Sequence, residues 1–174
     1  PGHKGGIVSY GKVKHQLTRL CRQDQGAYVT TMMDYYGLPN DFPGLDGRVA
    51  DAHEQVVRLE LALQQDIDAP NFIPNLMLHE FEALLFSAPE KFAEWLDDQA
   101  LLAPMAAIRA AFATPEHINN SPRTAPSKRI LALVSNYKKT LHGPLIAKDI
   151  GLDAIRAQCP HFNNWIERLL ALPR

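Results

Sequence analysis

Hydrophobic residues in the first third of the chain follow first a helical period and then a strand pattern. Val13, Leu17, Leu20 and Cys21 recur at helical spacing, with Lys and Arg on the opposite side. Residues 27–33, AYVTTMM, are rich in β-forming residues and show no clean polar alternation. This pattern is typical of a strand covered on both faces, as in a parallel sheet. The chain is therefore predicted to begin with a helix and a buried strand.

A second helix and a second strand follow. Residues 48–67 give the clearest helical pattern in the chain. One apolar stripe runs along it and consists of Val49, Ala52, Val56, Leu59 and Leu63. The run FIPNLML, residues 72–78, is β-prone, although Pro74 favours an edge strand or a strand that begins after it. A strand, a helical crossover and a strand predict a right-handed βαβ unit with parallel strands.

The rest of the chain is predicted to be helical. HEFEALLF, residues 79–86, is expected to form a helix, and further helical segments follow up to the C-terminus. The last of them carries an apolar face formed by Phe162, Trp165, Ile166, Leu169 and Leu170. The predicted fold class is α/β, a small parallel, Rossmannoid sheet with flanking helices and a helical C-terminal half. We expect an α/β core over residues 1–88 and a helical extension, packed on the core, over residues 89–174.

Composition narrows the functional classes only slightly. The 174 residues include 18 Lys and Arg and 19 Asp and Glu, which gives a net charge of −1. This balance predicts no general affinity for nucleic acid, although it leaves room for a local basic patch. Cys21 and Cys159 fit no metal-binding spacing and are expected to be reduced core thiols of a cytoplasmic protein. No apolar run approaches the roughly 20 residues that cross a bilayer, so no membrane partner is expected.

Acidic residues follow both predicted strands. Asp34 ends the first strand, and His79, Glu80 and Glu82 follow the second. Parallel strands bring their carboxyl ends to one sheet edge, where open sheets bind ligands. Carboxylates gathered there form either a divalent-metal site or a pair that shares a proton. Mg²⁺, or Mn²⁺ in its place, is the natural candidate, because it takes few carboxylates and completes its coordination with water and substrate phosphate.

Structural roles for the same residues remain open. Asp34 has a structural alternative, because an Asp at a strand end is most often a turn former or a helix cap. Glu80 and Glu82 are two positions apart and would point in different directions on a helix, which favours one ligand over two. His79 is more often a hydrogen-bonded structural histidine than a ligand, and HEFE does not match the HExxH zinc motif.

A second candidate site lies at the predicted start of a helix near residue 127. Ser127, Lys128 and Arg129 place a hydroxyl and two cations at a helix N-terminus, a combination suited to phosphate. An ordinary capped helix with solvated cations is the alternative. Lys4 adds a further cation. A basic strip would continue this site if other residues share its face, namely Lys138, Lys139, His142 and Lys148.

Several stretches together resemble the bacterial domain-of-unknown-function 4276 family (DUF4276) over nearly the whole chain. They are GGIVSYGKVK, AYVTTMMDYYGLP, FPG, FIPNLMLHEFEALLF, APSKRI and HGPLIAKDIGLDAIRAQCPHFNNW. The family is similar to Toprim-type domains, the metal-dependent module of topoisomerases, primases and overcoming-lysogenization-defect nucleases. Members are often encoded beside ATPases in contexts that suggest defence against phage. The resemblance therefore implies nucleic acid as a partner and an ATPase as a second one.

The resemblance carries over to individual residues. Asp34 matches the acid after the central Toprim strand, where the family pattern is usually DxD. This chain has Asp-Tyr-Tyr at that place, so Glu80 or Glu82 would replace the second acid. A Toprim-like first strand ends in a glutamate, in an E-G-x-T-E-like stretch. Because the chain begins at Pro1, we expect that strand and its general acid/base to be missing from it.

These observations predict an Mg²⁺-dependent nuclease or another phosphodiester-acting, Toprim-like domain of an ATPase-linked anti-phage defence system. In this prediction Asp34, Glu80 and Glu82 hold the metal and take part in catalysis, while residues 127–129 and Lys4 bind phosphate. The alternative is a non-catalytic module that binds nucleic acid or docks onto an ATPase. A sensor that binds a nucleotide without cleaving it is a third reading, and a homodimer is left open.

Overall fold

The computed structural model describes residues 9–47, 49–118 and 123–173, and the chain divides into two compact units. The first unit ends at Leu78 and the second begins at His79. The boundary after residue 88 stays a prediction from the sequence, and residues 79–88 fall within the second compact unit.

In its described residues, the first unit combines two α-helices and a 3₁₀ helix with four short strands. Its elements are α1 (Tyr10–Gln23), β1 (Val29–Thr30), β2 (Met33–Asp34), a 3₁₀ helix (Tyr35–Gly37), α2 (Ala52–Ile67), β3 (Phe72–Ile73) and β4 (Leu76–Met77). β1 pairs in parallel with β3, and β2 pairs in parallel with β4. The predicted parallel strands joined by a helical crossover are confirmed.

Both predicted strands are split in two, residues 27–33 into β1 and β2 and residues 72–78 into β3 and β4. Thr31 lies in the first gap and Asn75 in the second, and the two residues are hydrogen-bonded to each other. Thr31 Oγ1 donates a hydrogen bond to the carbonyl oxygen of Asn75, and it accepts one from the Asn75 backbone N–H, both at 2.9 Å. This side chain replaces the backbone ladder between β1 and β2 on one side and β3 and β4 on the other. Pro74, which has no N–H to donate, lies in the same gap. The interruption therefore leaves the buried polar groups of Asn75 satisfied.

Helix α2 supplies the centre of the first core. Val56, Leu59 and Leu63 are fully buried and belong to one apolar cluster with residues of α1 and of the strands. The helix starts at Ala52 and not at residue 48, because the Asp51 side chain accepts a hydrogen bond from the N–H of Glu54 and caps it there. Val49, which was predicted to belong to the apolar stripe, lies before the helix and is 38% exposed.

The second unit is helical, as predicted. Its α-helices are α3 (Glu90–Leu96), α4 (Leu102–Ala110), α5 (Pro126–Leu133), α6 (Lys139–Ile150), α7 (Leu152–Gln158) and α8 (Pro160–Leu170). Three 3₁₀ helices accompany them, Phe81–Ser87, Gln99–Leu101 and Pro115–His117. The predicted helix HEFEALLF is thus a 3₁₀ helix that starts only at Phe81. The α/β class with a helical C-terminal half is confirmed.

Two general expectations can be compared with the described residues. Cys21 and Cys159 are both buried free thiols, as predicted. Across residues 9–47, 49–118 and 123–173, no helix combines the length and the apolar character that a membrane span requires.

Replacing Thr31 by valine tests the interruption. Thr31→Val keeps the shape of the side chain but removes both hydrogen bonds and leaves polar backbone groups of Asn75 buried without them. We expect the free energy of unfolding to fall by about 2 kcal/mol in urea denaturation. Thr140→Val, at an exposed position of α6, is the matched control and should change it by less than about 0.5 kcal/mol. Equal effects of the two substitutions would contradict the role assigned to Thr31.

Candidate functional site

Glu80 is held by the start of helix α5. Its backbone is extended, with φ −144° and ψ 155°, immediately before the 3₁₀ helix Phe81–Ser87. One carboxylate oxygen accepts the Ser127 backbone N–H at 2.9 Å, and the other accepts the Ser127 hydroxyl at 3.0 Å. Ala125, the N-cap residue of α5, offers no capping side chain. Glu80 therefore caps a helix that cannot cap itself, and Ser127 orients a carboxylate.

Lys139 joins Glu80 to Glu82. Its Nζ lies 3.3 Å from Oε1 of Glu80 and 3.4 Å from Oε1 of Glu82. Only 13% of the Glu80 side chain and 5% of the Glu82 side chain are exposed, so both carboxylates reach one cation at the edge of the protein interior. The expectation that the two glutamates diverge is wrong, because Glu80 is extended and precedes the helix instead of lying on it.

Tyr137 brings a buried hydroxyl to the same place. The residue is 5% exposed, and its hydroxyl has no hydrogen-bond partner among the described residues. Burial raises the pKa of Tyr137, and the negative charges of Glu82 and Glu80 raise it further. Tyr137 is therefore a neutral hydrogen-bond donor close to two carboxylates. Gly143 leaves room for it, because a Cβ at that position would lie 3.2 Å from the tyrosine oxygen.

His79 has a structural character. It is 3% exposed, and its burial lowers its pKa to about 4. The nearby His117 lowers this pKa further, whereas the charge of Glu80 opposes the shift. His79 is consequently neutral near pH 7, which fits the buried structural histidine that the sequence suggested.

The two predicted phosphate-binding cations differ in their surroundings. Arg129 donates its Nε–H to the carbonyl oxygen of Thr124 at 2.8 Å, and its guanidinium carbon lies 5.1 Å from the ring centre of Phe112. These contacts fix Arg129 against its own unit. Lys128 is exposed in the first turn of α5. Lys4 lies outside the described residues.

Asp34 belongs to the first unit, where it ends β2 opposite Met77 of β4. Its place at the end of a parallel strand is as predicted. The expectation that this strand is covered on both faces is wrong, because β2 is only partly buried and Met32, just before it, is 46% exposed. Glu80 and Glu82 belong to the second unit, so the proposed grouping of all three acids stays a prediction.

The donor set of the second unit suits one class of metal. Within the described ranges, no three His, Cys, Asp or Glu side chains form a group that could hold a metal ion. The pair Glu80 and Glu82 supplies two carboxylates to one cation. Mg²⁺ and Mn²⁺ are compatible with this pair, because Mg²⁺ sites commonly use one or two carboxylates and keep several waters.

Sequence reasoning missed part of this cluster. Tyr137 was not among the predicted site residues, and Lys139 was expected in a phosphate-binding strip. Lys139 lies 59 positions after Glu80. Neither Tyr137 nor Lys139 belongs to a local sequence motif that contains the two glutamates. The one available signal was a lysine and a tyrosine close together at the start of a helix, which is too common to indicate a site.

Comparison with known proteins gives a single family. The model of DUF4276, described as a domain of unknown function, matches residues 2–170. No curated protein matches the chain, and no solved structure matches it.

The depressed pKa of His79 predicts how stability depends on pH. Between its unfolded pKa near 6.5 and its folded pKa of about 4, the unfolded state binds more protons than the folded state. The free energy of unfolding should therefore fall as the pH drops from 7 to 4, by on the order of 3 kcal/mol. Most carboxylates titrate near or below pH 4, at the lower end of this window.

Chemical denaturation at several pH values checks this. His79→Gln cannot take up the proton and should flatten the dependence between pH 6.5 and 4. His15→Gln, at an exposed position of α1, should keep the wild-type slope. A slope that survives in His79→Gln would show that another group causes it.

Proposed function

The chain belongs to the DUF4276 family, and from this premise we propose that it is a Toprim-like domain that acts on phosphodiesters with a divalent metal. One observation carries the proposal. Two largely buried carboxylates, Glu80 and Glu82, are directed at a single cation beside the donor hydroxyl of Tyr137. Two carboxylates that reach the same point are costly unless a cation relieves their repulsion, and in the second unit Lys139 supplies that cation.

Each residue of the cluster has a distinct task in this proposal. Glu80 and Glu82 would hold Mg²⁺ or Mn²⁺, which supplies positive charge at the phosphodiester and a more acidic water. Ser127 keeps Glu80 in place through its N–H and hydroxyl. Lys139 balances the charge of both carboxylates and would contact the phosphate when a metal takes that role. The hydroxyl of Tyr137 would donate to a water or to a phosphate oxygen.

Outside the cluster, cationic side chains are the proposed contacts to the phosphates of the substrate. Lys128 is exposed in the first turn of α5, next to Ser127. Arg129 lies one residue further and would support the same segment through its bond to Thr124. Asp34 and Lys4 stay predictions from the sequence, Asp34 as a metal ligand and Lys4 as a phosphate contact. Nucleic acid is the proposed substrate, and an ATPase of a cytoplasmic anti-phage system is the proposed partner.

A specific observation also favours a non-catalytic alternative. Lys139 already forms ion pairs with both Glu80 and Glu82 without any metal. In that reading the cluster is a structural ion pair that ties α6 to the start of the second unit. The domain would then bind nucleic acid or an ATPase without cleaving either. The two functions differ in whether hydrolysis depends on the carboxylates.

Nuclease assays decide between them. The full chain, with 5′-labelled DNA or RNA and Mg²⁺ or Mn²⁺, should release shortened products. Glu80→Gln/Glu82→Gln should lower the rate by at least about 100-fold, because the paired charges at the reaction centre are lost. Asp34→Ala should have a comparable effect. EDTA should abolish cleavage.

Glu90→Gln is the matched control, since Glu90 is an exposed glutamate at the start of α3. It should cleave at the wild-type rate. Cleavage that persists in Glu80→Gln/Glu82→Gln would overturn the proposed site. Binding of nucleic acid without cleavage under every metal condition would favour the non-catalytic module.

A further inference from the structure

Helix α1 of the first unit is basic along its whole length. It contains Lys12, Lys14, His15, Arg19 and Arg22 and no Asp or Glu. This concentration contrasts with the net charge of −1 of the chain. Local accumulation of one sign, in a chain that is otherwise balanced, indicates a surface with its own partner.

Four of these residues form one stripe on the helix. At about 100° per residue, Lys12, His15, Arg19 and Arg22 fall within roughly 80° of each other around the axis. All four are exposed. We call them the basic stripe.

The opposite face of α1 packs against the hydrophobic core of the first unit. Leu17 and Cys21 are buried, and Val13 packs against the same apolar cluster. The helix is therefore anchored by its apolar side, and the basic stripe is directed at solvent. Its orientation is fixed by packing.

Internal ion pairs do not account for these charges. Lys14, which lies outside the stripe, pairs with Asp66 at 2.8 Å and ties α1 to α2. No such pair is formed by Lys12, Arg19 or Arg22 with another described residue. Lys14 thus has a structural role, whereas Lys12, Arg19 and Arg22 form no ion pair within the part of the chain that the structure describes.

A shallow, open depression lies on the exposed face of α1, and His15, Arg19 and Arg22 are among the described residues that line it. The stripe extends from Lys12 to Arg22, ten helical steps or about 15 Å at 1.5 Å per residue. That length matches about four nucleotides of a B-form strand at 3.4 Å each. A row of cations at this spacing suits the repeated phosphates of a nucleic-acid backbone.

We infer that the basic stripe of α1 is a second nucleic-acid surface, which holds the phosphate backbone without reading its sequence. The contacts available are cationic side chains on phosphates, which position a duplex or a strand but carry no base information. An anionic membrane fits less well, because the apolar face of α1 is buried and cannot insert. Leu20, 37% exposed, is the one large apolar side chain of the helix that is classed as exposed.

This inference is independent of the metal chemistry proposed for the second unit. It concerns binding in the absence of metal, whereas that proposal concerns cleavage. Metal-free binding without cleavage would leave the basic stripe standing and contradict the metal proposal. Cleavage without metal-free binding would do the opposite.

Fluorescence anisotropy of the full chain tests it. The probes are a labelled 20-base-pair duplex and its single strand, in EDTA, between 50 and 200 mM salt. The wild type should bind more weakly as salt rises. Arg19→Gln/Arg22→Gln should lower the affinity at 50 mM salt at least about tenfold and reduce the slope of log K against log salt by about 2, one for each lost phosphate contact.

Arg123→Gln/Arg168→Gln is the matched control, because it removes two exposed cations of the second unit and changes the net charge equally. It should bind within twofold of the wild type and with an unchanged slope. Thermal unfolding should be alike in all three proteins, since the replaced side chains are exposed.

Three results would overturn the inference. The first is an equal loss of affinity in both double variants, which would indicate a non-specific charge effect. The second is no binding to either probe at 50 mM salt. The third is binding to phosphatidylserine vesicles, dependent on Arg19 and Arg22, by a protein that binds neither probe.

Discussion

Buried carboxylates that receive backbone N–H groups from helix N-termini hold the second unit together. Glu80 accepts the N–H of Ser127 at the start of α5. Glu116 accepts those of His161 and Phe162, at 2.9 and 2.8 Å, at the start of α8. Both helices begin with a proline, and neither has a capping side chain at its N-cap. The unit therefore depends on acids from distant segments to satisfy its helix ends.

This constraint fixes the position of the Glu80 carboxylate. A carboxylate held by an N–H and a hydroxyl has little freedom, so Lys139 and Glu82 meet it in a defined geometry. Glu116 shows the purely structural version, since its two oxygens each serve one backbone donor. Glu80 differs because it also shares a cation with a second acid, beside the hydroxyl of Tyr137. That difference is the basis for assigning function to Glu80 and a supporting role to Glu116.

Local sequence patterns predicted most helices and strands of the fold. The features that they did not predict depend on hydrogen bonds between residues far apart in the sequence. The parallel strands, the crossover helix and the helical second half follow from periodicity and β-propensity. The break in both strands could not be predicted, because it depends on Thr31 meeting Asn75 across 44 positions. The same holds for the site. The acids Glu80 and Glu82 were visible in sequence, whereas their shared partner Lys139 is contributed by a distant helix.

Glu80 and Glu82 are proposed to form one cation site, which Lys139 fills when no metal is bound. Calorimetric titration with Mn²⁺ measures this directly. Lys139→Met should bind Mn²⁺ at least about tenfold more tightly than the wild type, because the competing ammonium is gone. Adding Glu80→Gln/Glu82→Gln to that variant should abolish the binding. An Mn²⁺ affinity that none of these changes alters, or no Mn²⁺ binding by Lys139→Met, would contradict the claim.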